Sequence, residues 1–154
     1  MQSKKKIAPN NIPVYEISGK HTSRGCEALF YRMGRARYGL KLYRNFQLAY
    51  DSYNRQILAA KHGLGPEVGK FIMARKKGRK TILFGYETQK IEEYDHDNYN
   101  HVKIFNKQSG RLYEKLRKLG LAGDFGDVNC GILNGILLAV DFGSHSSTVY
   151  GKSE

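Results

Sequence analysis

The sequence predicts an α+β fold, with five strands and one helix in the front half and one helix with a closing β-hairpin behind. Three observations carry that prediction. Short strand-like apolar runs fill 13–86 around one helix of 3–4 spacing; a second such helix follows; and Asn134-Gly135 separates two short apolar runs near the end. The chain has 154 residues, 40% hydrophobic and 12% aromatic, enough to pack a core in one compact domain or two small lobes.

The elements follow in order. Residues 1–12 hold Lys4, Lys5 and Lys6, then Pro9, Asn10 and Asn11, and read as a basic flexible arm. Segment 13–17 reads as a strand. A polar loop from Gly19 to Gly25 leads to a second strand at 27–33, and a turn at 34–37 leads to a third at 38–43, with Lys41 in its middle. Phe46, Tyr50, Tyr53, Ile57 and Ala60 mark the face of a helix over 45–62, with Gly63 as its stop and Pro66 beyond. Strands at 70–74 and 81–86 are joined as a hairpin by the basic turn 75–80, which contains Arg75, Lys76, Lys77, Arg79 and Lys80. Segment 91–100 is acidic and polar, a linker or helix start. Val102, Phe105, Ser109, Leu112, Leu116 and Leu119 mark the next helix face, stopped by Gly120. Strands 130–133 and 136–140 close on Asn134-Gly135, a pair suited to a type I′ turn.

Charge is split along the chain. Residues 1–80 carry 18 Lys/Arg against 4 Asp/Glu, and 81–154 carry 8 against 10, within a total of +12. A cationic front half suits an anionic partner, and it equally suits a solvated surface. No apolar run reaches the roughly 18 residues of a membrane span, and no signal-peptide core follows the basic start, so a soluble cytoplasmic protein with no membrane partner is expected. Cys26 and Cys130 are too few for a disulfide framework.

The chemistry gathers at the closing hairpin. Asn129 precedes its first strand and Asp141 follows its second, so a tight turn brings both to the open end. Asp124 sits in the glycine-containing loop 123–129 that leads in. Several oxygen ligands at one loop end suit Mg²⁺, with phosphate oxygens completing its shell. Asp124, Asp127 and Asn129 also suit plain turn formation.

Asp124-x-x-x-x-Asn129, a short hairpin, then Asp141-Phe142-Gly143 resembles the catalytic loop and metal-binding triplet of the protein-kinase-like superfamily, which includes the aminoglycoside phosphotransferases. The resemblance spans about 14–143. It implies a truncated two-lobe fold: an N-lobe at 13–89 with a five-stranded antiparallel sheet and one helix, and a reduced helical C-lobe at 90–154 with the hairpin. It implies ATP and Mg²⁺ as cofactors, Lys41 and Asp124 as catalytic residues, and Asn129 and Asp141 as metal ligands. Lys41 would hold the α/β-phosphates and Asp124 would act as the base. Glu87 and Thr88 would lie on the path to the adenine-gripping hinge, and the loop between Gly19 and Gly25 would cover the phosphates.

The sequence departs from the family at four places. The loop from Gly19 to Gly25 lacks the usual glycine pattern. Gln56 stands where a helix carboxylate normally pairs with the lysine, and as part of the cofactor site it would orient Lys41 by a hydrogen bond without neutralising it. Ala122-Gly123 replaces His-Arg before the catalytic aspartate. The 144–154 tail is too short for an activation segment, so an ordinary protein kinase is not expected. Two functions therefore stay open. One is a minimal ATP–Mg²⁺ phosphotransferase with an unidentified acceptor. The other is a catalytically degenerate kinase-like protein that binds a protein or nucleic acid through Lys4–Lys6 and the 75–80 turn. An oligomer is compatible with either, and the small size resembles products of phage or mobile-element genes. Glu92, Glu93, Asp95, His96, Asp97 and His101 could hold a metal, but they read better as acidic surface.

Overall fold

A computed structural model describes the backbone of residues 2–7 and 23–24, and backbone with side chains for 12–18, 28–31, 33, 36–121 and 129–140. It divides the chain into two units, Met1–Tyr53 with Val68–Lys90, and Asn54–Glu67 with Ile91–Glu154. The fold is α+β.

Among the described residues the first unit holds seven strands: β1 (Gln2–Ile7), β2 (Pro13–Ile17), β3 (Ser23–Arg24), β4 (Ala28–Tyr31), β5 (Tyr38–Tyr43), β6 (Val68–Lys76) and β7 (Ile82–Gln89). Their order is β1-β2-β6-β7-β5-β4-β3. This corrects the expected five-stranded antiparallel sheet in two ways. First, β2 pairs with β6 in parallel, Val14 opposite Met73 and Ile17 opposite Lys76. A parallel pair needs a long crossover, and the three strands and the helix between β2 and β6 supply it. Second, β1 runs where a flexible basic arm was expected, paired antiparallel with β2 so that Lys4 lies opposite Tyr15 and Lys6 opposite Val14. A lysine run is compatible with an edge strand, because charge there discourages further pairing.

Helix α1 (Phe46–Lys61) follows β5. Its most buried side chains are Ala49, Ser52, Gln56 and Ala59, whereas Phe46, Tyr50 and Ile57 of the expected apolar face are each more than a third exposed. Small residues let the helix approach closely, and the aromatic side chains pack along the flank: Phe46 meets the edges of Phe71 and Phe84 at 5.6 Å, and Tyr53 lies 5.3 Å from Phe71. Ser52 belongs in this apolar setting because its hydroxyl accepts from Tyr43 Oη at 2.7 Å and bonds Tyr86 Oη at 2.7 Å. Buried polar groups persist when they are paired in this way.

Strand alternation gives the sheet two buried faces. Tyr43, Tyr86 and Ala49 form one cluster; Leu40, Leu42, Ile72, Ala74 and Ile17 form the other. Tyr31 and Tyr53 are held above the usual tyrosine pKa. Burial raises both, and for Tyr53 the charge of Glu87 and then Tyr50 add to it. Both hydroxyls therefore ionise later in the folded chain than in the unfolded one. Their contribution is fully present below about pH 10 and is lost as pH rises through the folded-state values. The urea midpoint is expected to fall above about pH 10, and less steeply in Tyr53→Phe.

In the second unit, α1 ends where the sequence signals its stop. Gly63 adopts φ 72°, and the Leu64 amide donates to the Ala59 carbonyl at 2.9 Å. Helix α2 (Tyr99–Lys118) begins at Asn98, whose side-chain oxygen accepts from the amides of Asn100 and His101. It ends at Gly120, with φ 77°. Strands β9 (Cys130–Leu133) and β10 (Ile136–Ala139) form the expected hairpin, and Asn134 (φ 51°) and Gly135 (φ 78°) take the two left-handed turn positions. A short strand not expected from the acidic linker, β8 (Glu92–Glu93), pairs with β9. The core joins Ala59 and Leu64 to Leu112, Leu116, Leu121, Ile132 and Leu137. Cys130 is buried in it, and Cys26 lies outside the described residues.

Gly110 sits in the middle of α2, where an added Cβ would meet nothing within 4 Å. Gly110→Ala is expected to raise stability by about 1 kcal/mol, read as a higher denaturation midpoint. No helix among the described residues is long and apolar enough to cross a membrane.

Candidate functional site

The β9–β10 ladder pairs Cys130 with Ala139, and one further bond runs from the Val140 amide to the Asn129 carbonyl at 2.9 Å. The type I′ turn fixes this register, since only one pairing closes a two-residue loop. Asn129, half-buried, thus stands opposite the residue that precedes Asp141. Asp124, Asp141, Gly19 and Gly25 lie outside the described residues.

Lys41 occupies the middle of β5, opposite Phe30 on β4 and Tyr86 on β7. It is half-buried. Two residues from Tyr43, it shares the sheet face that carries the Tyr43–Tyr86–Ala49 cluster. β-sheet pairing on both sides therefore holds its backbone rigidly.

Gln56 is fully buried, and its side-chain nitrogen donates to the Pro66 carbonyl at 3.0 Å. The amide thus ties the last turns of α1 to the loop that follows them. Gln56→Glu would set a carboxylate against that carbonyl oxygen. We expect it to cost about 2 kcal/mol near neutral pH, because a buried oxygen loses its donor and a charge is desolvated. Burial raises the carboxyl pKa in the folded state. The deficit is therefore smallest below the unfolded value of about 4.3, where the protonated acid can donate to Pro66, and grows as pH rises through the folded value. Denaturation midpoints of Gln56→Glu and wild type across pH check this.

Glu87 and Thr88, expected on the approach to a hinge, are ladder residues. β7 runs on to Gln89, pairing Glu87 with Leu40 and Thr88 with Gly39. The Glu87 carboxylate accepts the Lys70 amide at 2.9 Å, and Thr88 is buried. The strand extends because β5 offers partners as far as Tyr38.

The basic turn lies at the β6–β7 connection. Arg75 and Lys76 end β6, half-buried, while Lys77, Arg79 and Lys80 are exposed around Gly78 (φ 80°). The Lys77 amide donates to the Ile17 carbonyl at 2.8 Å, which anchors the turn to β2. Lys4, Lys5 and Lys6 lie on the next strand out, and their side chains are outside the described residues.

The acidic segment before α2 has a structural role for His101. The buried ring accepts the Asp95 amide at Nδ1 (2.9 Å), so its proton sits on Nε2, 3.3 Å from the Glu92 carboxylate. Among the described residues no three His, Cys, Asp or Glu side chains cluster to hold a metal ion.

One feature escaped the sequence reading: a groove of about 500 Å³ in the second unit, beside α2 and β10. Its signal was present in Lys107, Arg111 and Lys115, cations at i, i+4 and i+8, but the apolar floor they border is visible only in three dimensions. No protein-family model and no curated protein matches the chain.

Proposed function

We propose that this protein is a minimal ATP–Mg²⁺-dependent phosphotransferase of kinase-like type. The observation that carries the reading is the Val140–Asn129 backbone bond, which closes the hairpin between the Asp124-x-x-x-x-Asn129 stretch and Asp141-Phe142-Gly143. Lys41 adds to it: an ammonium rooted in a central strand, on the sheet face shared with α1 residue Ala49. The donor types suit the group, since an amide oxygen and carboxylates are hard ligands for magnesium and an ammonium suits phosphate. In this reading Asn129 and Asp141 hold the metal, Lys41 holds phosphate oxygens, and Asp124 accepts the proton of the incoming hydroxyl. Bound nucleotide supplies the phosphoryl group; the chain supplies position and charge.

A second reading is favoured by Gln56. A neutral amide bonded to Pro66 stands where the family carries a carboxylate for its lysine. In that reading the fold is catalytically degenerate, and its basic turn holds a protein or nucleic acid.

Thermal stability with and without ATP and Mg²⁺ separates the two. At 100 times its dissociation constant a ligand adds about 2.7 kcal/mol. The enzyme reading expects such a shift, abolished in Asp141→Ala. No shift at millimolar ATP favours the binding protein.

A further inference from the structure

We propose that the groove beside α2 is a docking site for an acidic, extended peptide segment of a partner protein, anchored by an apolar side chain. The groove belongs wholly to the second unit and is independent of the nucleotide reading. Its floor is aliphatic: Leu64, Leu112 and Leu137 are buried beneath it, and Ile136 is 51% exposed at its edge. Its rim is cationic. Lys107, Arg111 and Lys115 line it, all exposed; among the described residues no carboxylate lines it, and none of the three has a carboxylate partner.

The wall is firmly built. Gln108 donates to the Gly135 carbonyl at 2.9 Å and accepts the Leu137 amide at 2.9 Å, which pins the hairpin turn to α2. Both ends of its amide are used, so the cations are left as the main polar handles. A preformed groove lowers the ordering cost of binding.

Charge and spacing select the occupant. Residues four apart on a helix rise about 6 Å and stay on one face. Alternate side chains of an extended peptide repeat at about 6.6 Å. Acidic residues at every second position would therefore meet Lys107, Arg111 and Lys115 in turn. The aliphatic floor speaks against single-stranded nucleic acid, whose bases favour aromatic platforms. A second copy is disfavoured by the net charge of +12.

The test is a ¹⁵N–¹H NMR titration of the full chain with an acetylated, amidated hexapeptide of alternating glutamate and leucine. Saturable shifts are expected at Leu64, Gln108, Arg111 and Ile136. Affinity should fall about tenfold or more in Arg111→Glu and also in Ile136→Ser, both exposed positions whose folding the same spectra report. A lysine–leucine hexapeptide should produce no saturable shift. The proposal is overturned by any of four results: no saturable shift at the groove; shifts confined to the 75–80 turn; a loss in Arg111→Glu without one in Ile136→Ser, which would mean undirected charge attraction; or groove shifts produced equally by a single-stranded oligonucleotide or by raising protein concentration alone.

Discussion

Gly85→Ala is expected to destabilise the first unit by about 3 kcal/mol, the upper end for forcing a methyl group into a packed core. Gly85 lies mid-strand in β7, between Leu42 of β5 and Ile72 of β6. A Cβ there would run into the backbone carbonyl of Lys41, with the Leu42 Cα at 2.9 Å behind it. Backbone cannot swing aside as a long side chain can, so β5 must move or the ladder must open. The cost should appear as a lower urea midpoint, in contrast with the gain expected from Gly110→Ala. An unchanged midpoint would mean that β5 and β7 do not pass so closely.

The second large effect concerns function. Lys41→Met keeps most of the apolar stem and removes the ammonium. If Lys41 stabilises charge on a transferring phosphoryl group, the transfer rate should drop by about 10²–10³, as when one preorganised electrostatic donor is lost. The backbone pairing of residue 41 with Phe30 and Tyr86 is untouched by the change, so the β4–β5–β7 ladder is kept. Labelled-phosphate transfer measured beside a urea melt distinguishes the outcomes. A variant that melts early with proportionate loss of activity would assign Lys41 to structure alone.

Much of this architecture can be read from local signals. Gly63 and Gly120 end the helices because left-handed backbone is cheap only there, and Asn134-Gly135 fixes a hairpin for the same reason. Strands β2, β4, β5, β6 and β7 were visible as short runs of apolar and β-branched residues. What stayed hidden depends on distant partners. β1 is a lysine run, and β3 and β8 are two residues each, so only their neighbours reveal them. The parallel pairing of β2 with β6 joins residues almost sixty positions apart, and no local pattern encodes it. On α1, the large apolar residues drew the eye, yet Ala49, Ser52, Gln56 and Ala59 form the buried stripe because tyrosine hydroxyls and the Pro66 carbonyl satisfy its two polar members.

The candidate site divides along the same line. The strand position of Lys41 and the place of Asn129 at the hairpin mouth followed from spacing. The extension of β7 through Glu87 and Thr88 did not, because it depends on how far β5 continues alongside. The groove beside α2 was hidden because Leu64, α2 and Ile136 are brought together only by packing.

Titration with Mn²⁺·ATP, followed by paramagnetic broadening of assigned backbone amides, tests the nucleotide claim most directly. Broadening that develops at Lys41 and at Asn129 and Val140 together, and is lost on replacing Asp141 with alanine, is the predicted result. Amides that keep their widths at all three positions while the free nucleotide rises to millimolar concentration would contradict it.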